Sequence, residues 1–195
     1  MTDQRASILL LASLAAWAAC GTGQETGGRI EPVYDPQTGR LQLLKYDANA
    51  DDQVDTWSYM DGSQIVRIEI DTDRDNTVDR WEYYGRDQQI EKVGASRAND
   101  GTVDSWAYYA ADGSIVRREL STARTGTINR IEYYENGALA RAEEDTDTDG
   151  RIDKWETYDE QQRLLSVAFD ATHRGTPDRR LLYAPDGSVD VEMLP

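Results

Sequence analysis

The sequence predicts an all-β fold, an elongated meander or solenoid of about six β-hairpin repeats of 24–26 residues. Three observations predict it. An aromatic segment recurs as Trp57-Ser58-Tyr59, Trp81-Glu82-Tyr83-Tyr84, Trp106-Ala107-Tyr108-Tyr109, Ile131-Glu132-Tyr133-Tyr134, Trp155-Glu156-Thr157-Tyr158 and Leu181-Leu182-Tyr183, with anchors 24, 25, 25, 24 and 26 residues apart. Behind four of these segments stand Asp61-Gly62, Asp112-Gly113, Asn136-Gly137 and Asp186-Gly187, dipeptides that suit tight hairpin turns because they tolerate positive φ. The returning segments then alternate with period two, as in Val66, Arg67, Ile68, Glu69 and Ile70, which favours a strand over a helix.

Each unit therefore reads as an aromatic strand, a tight turn and a return strand. Residues 29–46 read as a truncated first unit around Tyr34, Gly39 and Leu41. One hairpin cannot bury its own apolar face, so neighbours must stack along the chain, and residues 29–195 form a single repeat domain. A propeller needs about 40–45 residues per blade. A transmembrane barrel needs strands of about 9–11 residues with an apolar outer face, whereas these strands are shorter and carry Arg and Glu throughout. Trp57 and Tyr59 share one face, as do Trp81 and Tyr83. Their first role is ladder packing. Tyr84, Tyr109 and Tyr134 fall on the other face and are the better candidates for an exposed surface on which a sugar could stack.

Between the hairpins the chain turns acidic. Asp145, Asp147, Asp149, Gly150, Asp153 and Glu156 meet every element of the calcium-loop pattern D-x-[DN]-x-[DN]-G-x5-E. A second copy holds Asp71, Asp73, Asp75, Asp79 and Glu82, with Asn76 in place of the glycine. A third and weaker copy holds Asp47, Asn49, Asp51 and Asp55, with Ser58 in twelfth place. Calcium takes six to eight oxygens at roughly 2.3–2.6 Å, and alternate side chains of a short loop can supply them. The sixth position needs positive φ, which Gly150 and Asn76 accept and Asp52 accepts less well. Unneutralised, so many neighbouring carboxylates repel one another. Two calcium sites are expected, at Asp71 and Asp145, with a third candidate at Asp47. Glu82 and Glu156 fall within expected strands, so either they reach the metal or water or a neighbouring loop completes the shell.

The other three loops have lost this chemistry. They read Ser96, Ala98, Asp100, Gly101, Asp104; Ser121, Ala123, Thr125, Gly126, Asn129; and Asp170, Thr172, Arg174, Gly175, Asp178. Arg174 stands where a carboxylate belongs, and no metal is expected there.

Residues 1–19 contain one basic residue, Arg5, ahead of an apolar run over residues 6–19. That run is too short to span a bilayer and reads as an export signal. The small residues Ala18 and Ala19 precede Cys20, the one cysteine, and resemble a bacterial lipobox. That resemblance implies lipidation of Cys20, with Trp17 departing from the usual Leu. Ordinary signal cleavage near the same point is the alternative. Residues 20–28 would then be the anchored cysteine and a Gly-rich tether. Gly21 after the cysteine implies, on the same resemblance, outer-membrane sorting. With one cysteine, no disulfide can staple the exported domain, and calcium would be the substitute staple.

The net charge is −16, and removing the leader takes away Arg5 and Asp3 and leaves it unchanged. This disfavours nucleic acid and anionic membrane surfaces as direct partners. One histidine, His173, and no nucleophile elbow, zinc motif or phosphate loop leave little for catalysis. The W-x-Y-Y hairpin unit resembles the MORN-variant and YD-type repeats of bacterial surface proteins, over residues 34–195, and the loops resemble EF-hand or dockerin calcium loops. Together these imply a calcium-binding, lipid-anchored protein of the bacterial cell envelope, at the outer membrane or cell surface. It would be a non-catalytic structural, adhesion or protein-interaction scaffold. A carbohydrate or envelope-polymer binding module with structural calcium is the alternative, and an immunity-type partner of the MORN-variant kind a third. Either way the partner is a protein or glycan.

Overall fold

The computed structural model describes residues 27–195; Cys20 and the leader lie outside the described residues. Among the described residues, fourteen strands follow one another. They are β1 (Arg29–Tyr34), β2 (Leu41–Asp47), β3 (Thr56–Asp61), β4 (Gln64–Ile70), β5 (Arg80–Tyr84), β6 (Ile90–Ala95) and β7 (Ser105–Tyr109). The second half holds β8 (Ile115–Leu120), β9 (Arg130–Glu135), β10 (Ala138–Glu144), β11 (Lys154–Tyr158), β12 (Leu164–Phe169), β13 (Arg179–Tyr183) and β14 (Val189–Met193). Every strand pairs antiparallel with its sequence neighbours in one open sheet, in the order β1 to β14. This is the expected meander. Residues 29–47 are not truncated, however. They form a complete hairpin, so the count is seven.

The turns behave as their residues dictate. Asn136 and Gly137 both take positive φ (50° and 79°), the requirement of a two-residue turn whose twist matches its strands. Each of the first six hairpins shifts register at the same place, as between Tyr83/Tyr84 and between Tyr108/Tyr109. The odd residue, such as Val66 or Val116, is pushed outward and left exposed. The bulge re-aims the tyrosine that opposes it.

With no helix among the described residues, both faces of the sheet must stabilise themselves. On one face, cross-strand register sets Tyr59, Arg67, Tyr83, Lys92, Tyr108, Arg117, Tyr133 and Arg141 in a row. Cations cover the rings: Arg67 lies 4.1 Å from the Tyr59 centroid, Lys92 4.5 Å from both Tyr83 and Trp106, and Arg117 4.4 Å from Tyr108. Such contacts contribute roughly 0.5–2 kcal/mol each. The parallel row alternates Trp57, Glu69, Trp81, Gly94, Trp106 and Glu119. A Cβ on Gly94 would stand 2.7 Å from the Trp106 ring, so only glycine lets that indole lie flat on the backbone.

The opposite face holds most of the small core, with Val93, Ala142 and Val167 buried. It also holds Tyr84, Tyr109, Tyr134 and Tyr158. These are half-buried rather than the exposed row that the sequence suggests. Three lie back along their own strand and donate their hydroxyls to the carboxylate two residues earlier, Tyr84 to Glu82 (2.7 Å), Tyr134 to Glu132 (2.8 Å) and Tyr158 to Glu156 (2.8 Å). Burial and the adjoining Glu82 push the Tyr84 hydroxyl well above its usual range.

Candidate metal centre

The antiparallel meander sends every hairpin turn to one end of the sheet and every interhairpin loop to the other. Strand spacing places successive loops about 10 Å apart. The ladder runs on into the loops. The ninth residue of each loop donates its N–H back across the loop, as Asp79 does to the Ile70 carbonyl (3.0 Å), and the next loop's first residue donates to that ninth residue, as Ser96 does to Asp79 (2.8 Å). First and ninth residues are thereby drawn into the sheet, and Asp47, Asp55, Asp71, Asp79, Ser96, Asp104, Ser121, Asp145, Asp170 and Asp178 are all buried.

Their side chains then organise the loop. Asp145 accepts the N–H of Asp149 (3.2 Å) on one oxygen and that of Gly150 (2.8 Å) on the other. Asp149 accepts from Arg151 (2.9 Å), and Asp153 accepts from Thr146 (3.1 Å). The 71–79 loop repeats this with Asp71 accepting from Asp75 (3.2 Å) and Asn76 (2.8 Å). Gly150, Asn76 and Asp52 all take the positive φ that the sixth position demands (90°, 71° and 69°).

The consequence is convergence. Carboxylate oxygens of Asp145, Asp147 and Asp153 lie within 4.8 Å of one another, as do those of Asp71, Asp73 and Asp79. A third group joins Asp147 and Asp149 to His173, which comes from the following loop. Asp75 and Asp149 stand in their expected fifth positions, although Asp75 is not in the tight group. No such three-carboxylate group forms from Asp47, Asp51 and Asp55 among the described residues. There Asn49 donates to Asp51 (2.9 Å), Arg74 lies 3.4 Å from Asp55, and Arg29 pairs with Asp52.

Glu82 and Glu156, the expected twelfth ligands, belong to neither group. Both sit on strands, where their carboxylates have other partners. Glu156 is buried and receives Arg130 (2.7 Å), Lys154 (2.7 Å) and the Tyr158 hydroxyl. Burial alone would raise its pKa, but these donors more than offset it and hold Glu156 down at about 2. Glu82 receives Arg80 (2.7 Å) and Tyr84. The helix that follows an EF-hand loop would aim position twelve at the metal; a strand does not.

Sequence reading did not find the Arg130 cluster, in which one half-buried guanidinium serves Glu132 (3.0 Å), Glu144 (3.0 Å) and Glu156. Its members come from three strands of two hairpins, and only cross-strand register unites them. The reach of His173 was missed for the same reason. It is exposed, as a solvated loop residue should be, but its Nδ1 stands 3.7 Å from Asp147.

The loops without a full acid set keep the same architecture. Ser121 Oγ accepts from Thr125 N–H (3.0 Å), as Asp145 does from Asp149, and Asn129 accepts from Thr122 N–H (2.9 Å), as Asp153 does from Thr146. One neutral oxygen is enough to shape the turn.

No protein-family model and no curated protein matches the chain. Among solved structures, one of accessory secretory proteins 1, 2 and 3 in Streptococcus pneumoniae shares 14% identity over 72% of this chain and 19% of that chain, at a TM-score of 0.28. A GtfA/B complex bound to UDP and GlcNAc shares 10% identity over 84% of this chain and 24% of that chain, at a TM-score of 0.22. The chain thus spans under a quarter of each of these chains, and likenesses this slight carry no argument about function.

Proposed function

We propose that this is a calcium-binding repeat protein, exported and lipid-anchored in the bacterial cell envelope through Cys20, that serves as a non-catalytic structural or interaction scaffold. The observation that carries the calcium reading is the contrast between the 145–153 and 121–129 loops. Ser121, Thr125 and Asn129 already make the turn-shaping hydrogen bonds. The carboxylates of Asp145, Asp149 and Asp153 add charge the turn does not need. Among the described residues no lysine or arginine pairs with Asp145, Asp147, Asp149 or Asp153, nor with Asp71, Asp73 or Asp79. An all-oxygen, multiply anionic cradle of this kind suits a hard divalent cation that accepts flexible coordination, which describes calcium better than zinc.

Without the twelfth carboxylate the shell must be filled by water and loop carbonyls, which points to affinities in the weak extracellular range. Export and anchoring rest on the 6–19 apolar run and the Ala-Ala-Cys motif. The scaffold role rests on a sheet with two solvent-facing sides and a line of loops along one end.

The test is a calorimetric calcium titration of the chelator-stripped protein beside an Asp147→Asn/Asp153→Asn variant, which keeps the oxygens that shape the loop. Two ions in the wild type and one in the variant support the reading. No binding heat and no change in melting temperature up to about 1 mM calcium would sink it.

A further inference from the structure

The fourth residue of every loop takes positive φ: Ala50, Arg74, Asn99, Arg124, Thr148 and His173, with φ between 54° and 65°. In four of these loops the side chain extends back across the gap to the loop before it. Arg74 Nε reaches Asp55 (3.4 Å), Asn99 donates to Asp73, Arg124 Nη1 reaches the Arg97 carbonyl (3.4 Å), and His173 meets Asp147 (3.7 Å). The identities at this position sort with the chemistry they face. Arginine faces the 47–55 and 96–104 loops, which gather no three-carboxylate group. Asparagine and histidine face the 71–79 and 145–153 loops, which do.

The 96–104 loop shows what a guanidinium does there. Arg97, in the loop's second position, places Nε 2.9 Å from the fully buried Asp104 and Nη2 2.7 Å from the Ser121 carbonyl. A tethered cation thus already sits on the carboxylate, and Arg124 closes over the same loop. In the 47–55 loop, Arg74 stands against Asp55.

We propose that the fourth residue of a loop, where its side chain reaches back, selects the occupant of the loop before it. Arg74 fills the 47–55 loop as an internal cation and excludes a metal that its Asp47, Asn49, Asp51 and Asp55 oxygens would otherwise accept. Asn99 and His173 present no fixed positive charge and leave the 71–79 and 145–153 loops open. This rests on the calcium reading above and adds a specificity rule to it. A guanidinium within hydrogen-bonding reach of a carboxylate competes directly with a divalent ion for the same lone pairs.

Two variants test it by exchanging the charge. Arginine at positive φ already occurs at Arg74 and Arg124, so Asn99→Arg is tolerated by the backbone. Calcium stoichiometry is measured by calorimetry on the full chelator-stripped protein, with strand content checked by circular dichroism. The wild type should take two ions, Arg74→Gln three, and Asn99→Arg one. If Arg74→Gln stays at two, or Asn99→Arg still takes two, the selection rule is overturned while calcium binding stands. If the wild type takes none, calcium binding itself fails and the rule falls with it.

Discussion

Two kinds of site among the described residues gather three carboxylates, one on the sheet and one in the loops, and they differ in the countercharge the chain provides. On the sheet, Glu132, Glu144 and Glu156 converge on Arg130, with Lys154 adding a second cation at 3.2 Å from Glu144 and 2.7 Å from Glu156. At the loop end, Asp145, Asp147 and Asp153 converge on no arginine or lysine among the described residues. The fold is therefore able to supply its own countercharge where charge must be buried. In two of six loops it supplies no such cation, although Asp71, Asp79 and Asp145 are buried, and on the calcium proposal the countercharge there would come from solution. The sheet cluster should be insensitive to calcium and sensitive to its own arginine, and the loop cluster the reverse.

The largest effect should come from Arg130→Ala. Removing one partner of a half-buried ion cluster leaves carboxylates uncompensated and costs about 3–5 kcal/mol, with or without calcium, as read by urea unfolding. A loss below about 1 kcal/mol would mean that the cluster is solvent-screened like an ordinary surface pair, and the contrast would dissolve.

Exchanging residues 145–153 for the sequence of residues 121–129 should come next, and its sign should reverse with calcium. With calcium at a hundredfold excess over Kd, the wild type gains about 2.7 kcal/mol per site from binding, so the exchanged protein melts lower. In chelator the exchanged protein should melt at the same temperature or higher, because it has shed mutual repulsion. Equal melting of both proteins under both conditions would break the comparison at the loop end.

Acid probes the sheet cluster. The folded Glu156 is held at about 2, below the ordinary value near 4.3, so it adds stability that is fully present above about pH 4.5. That stability is lost as pH falls from there through about 2. After discounting for partial solvent screening, the contribution is on the order of 2 kcal/mol. The stability difference between wild type and Glu156→Gln, measured in chelator, should shrink across that window. A difference that stays constant with pH would show that Glu156 is not selectively held in its charged form.

The two clusters also differ in how far the sequence discloses them. The loops are legible because their candidate ligands are local: Asp145, Asp147, Asp149 and Asp153 lie within nine residues, and period and turn dipeptides place them between hairpins. Glu156 and Glu82 mislead because a sequence motif fixes spacing but not direction, and the strand that follows the loop aims both onto the sheet face. Tyr84 and Tyr134 are placed on the correct face by alternation, yet their hydroxyls fold back on Glu82 and Glu132, a contact that alternation alone does not encode. Arg130 is invisible for a further reason. Its partner Glu156 lies 26 residues away, and only the register of β9, β10 and β11 brings them together.

The smallest effect should be that of salt without calcium. The loop carboxylates are near solvent, so raising ionic strength from about 0.01 M to 1 M shortens the screening length from roughly 30 Å to 3 Å and relieves part of their repulsion. Sodium chloride should therefore raise the wild-type melting temperature in chelator by a degree or two. The gain should be smaller in the 145–153 exchange variant, which has lost carboxylates from one of the two loops that gather three of them. Arg130 pairs are attractive, and screening them works in the opposite direction, so the difference between the two proteins is the informative quantity. Identical salt responses would place the repulsion elsewhere on this strongly acidic chain and detach it from the loops.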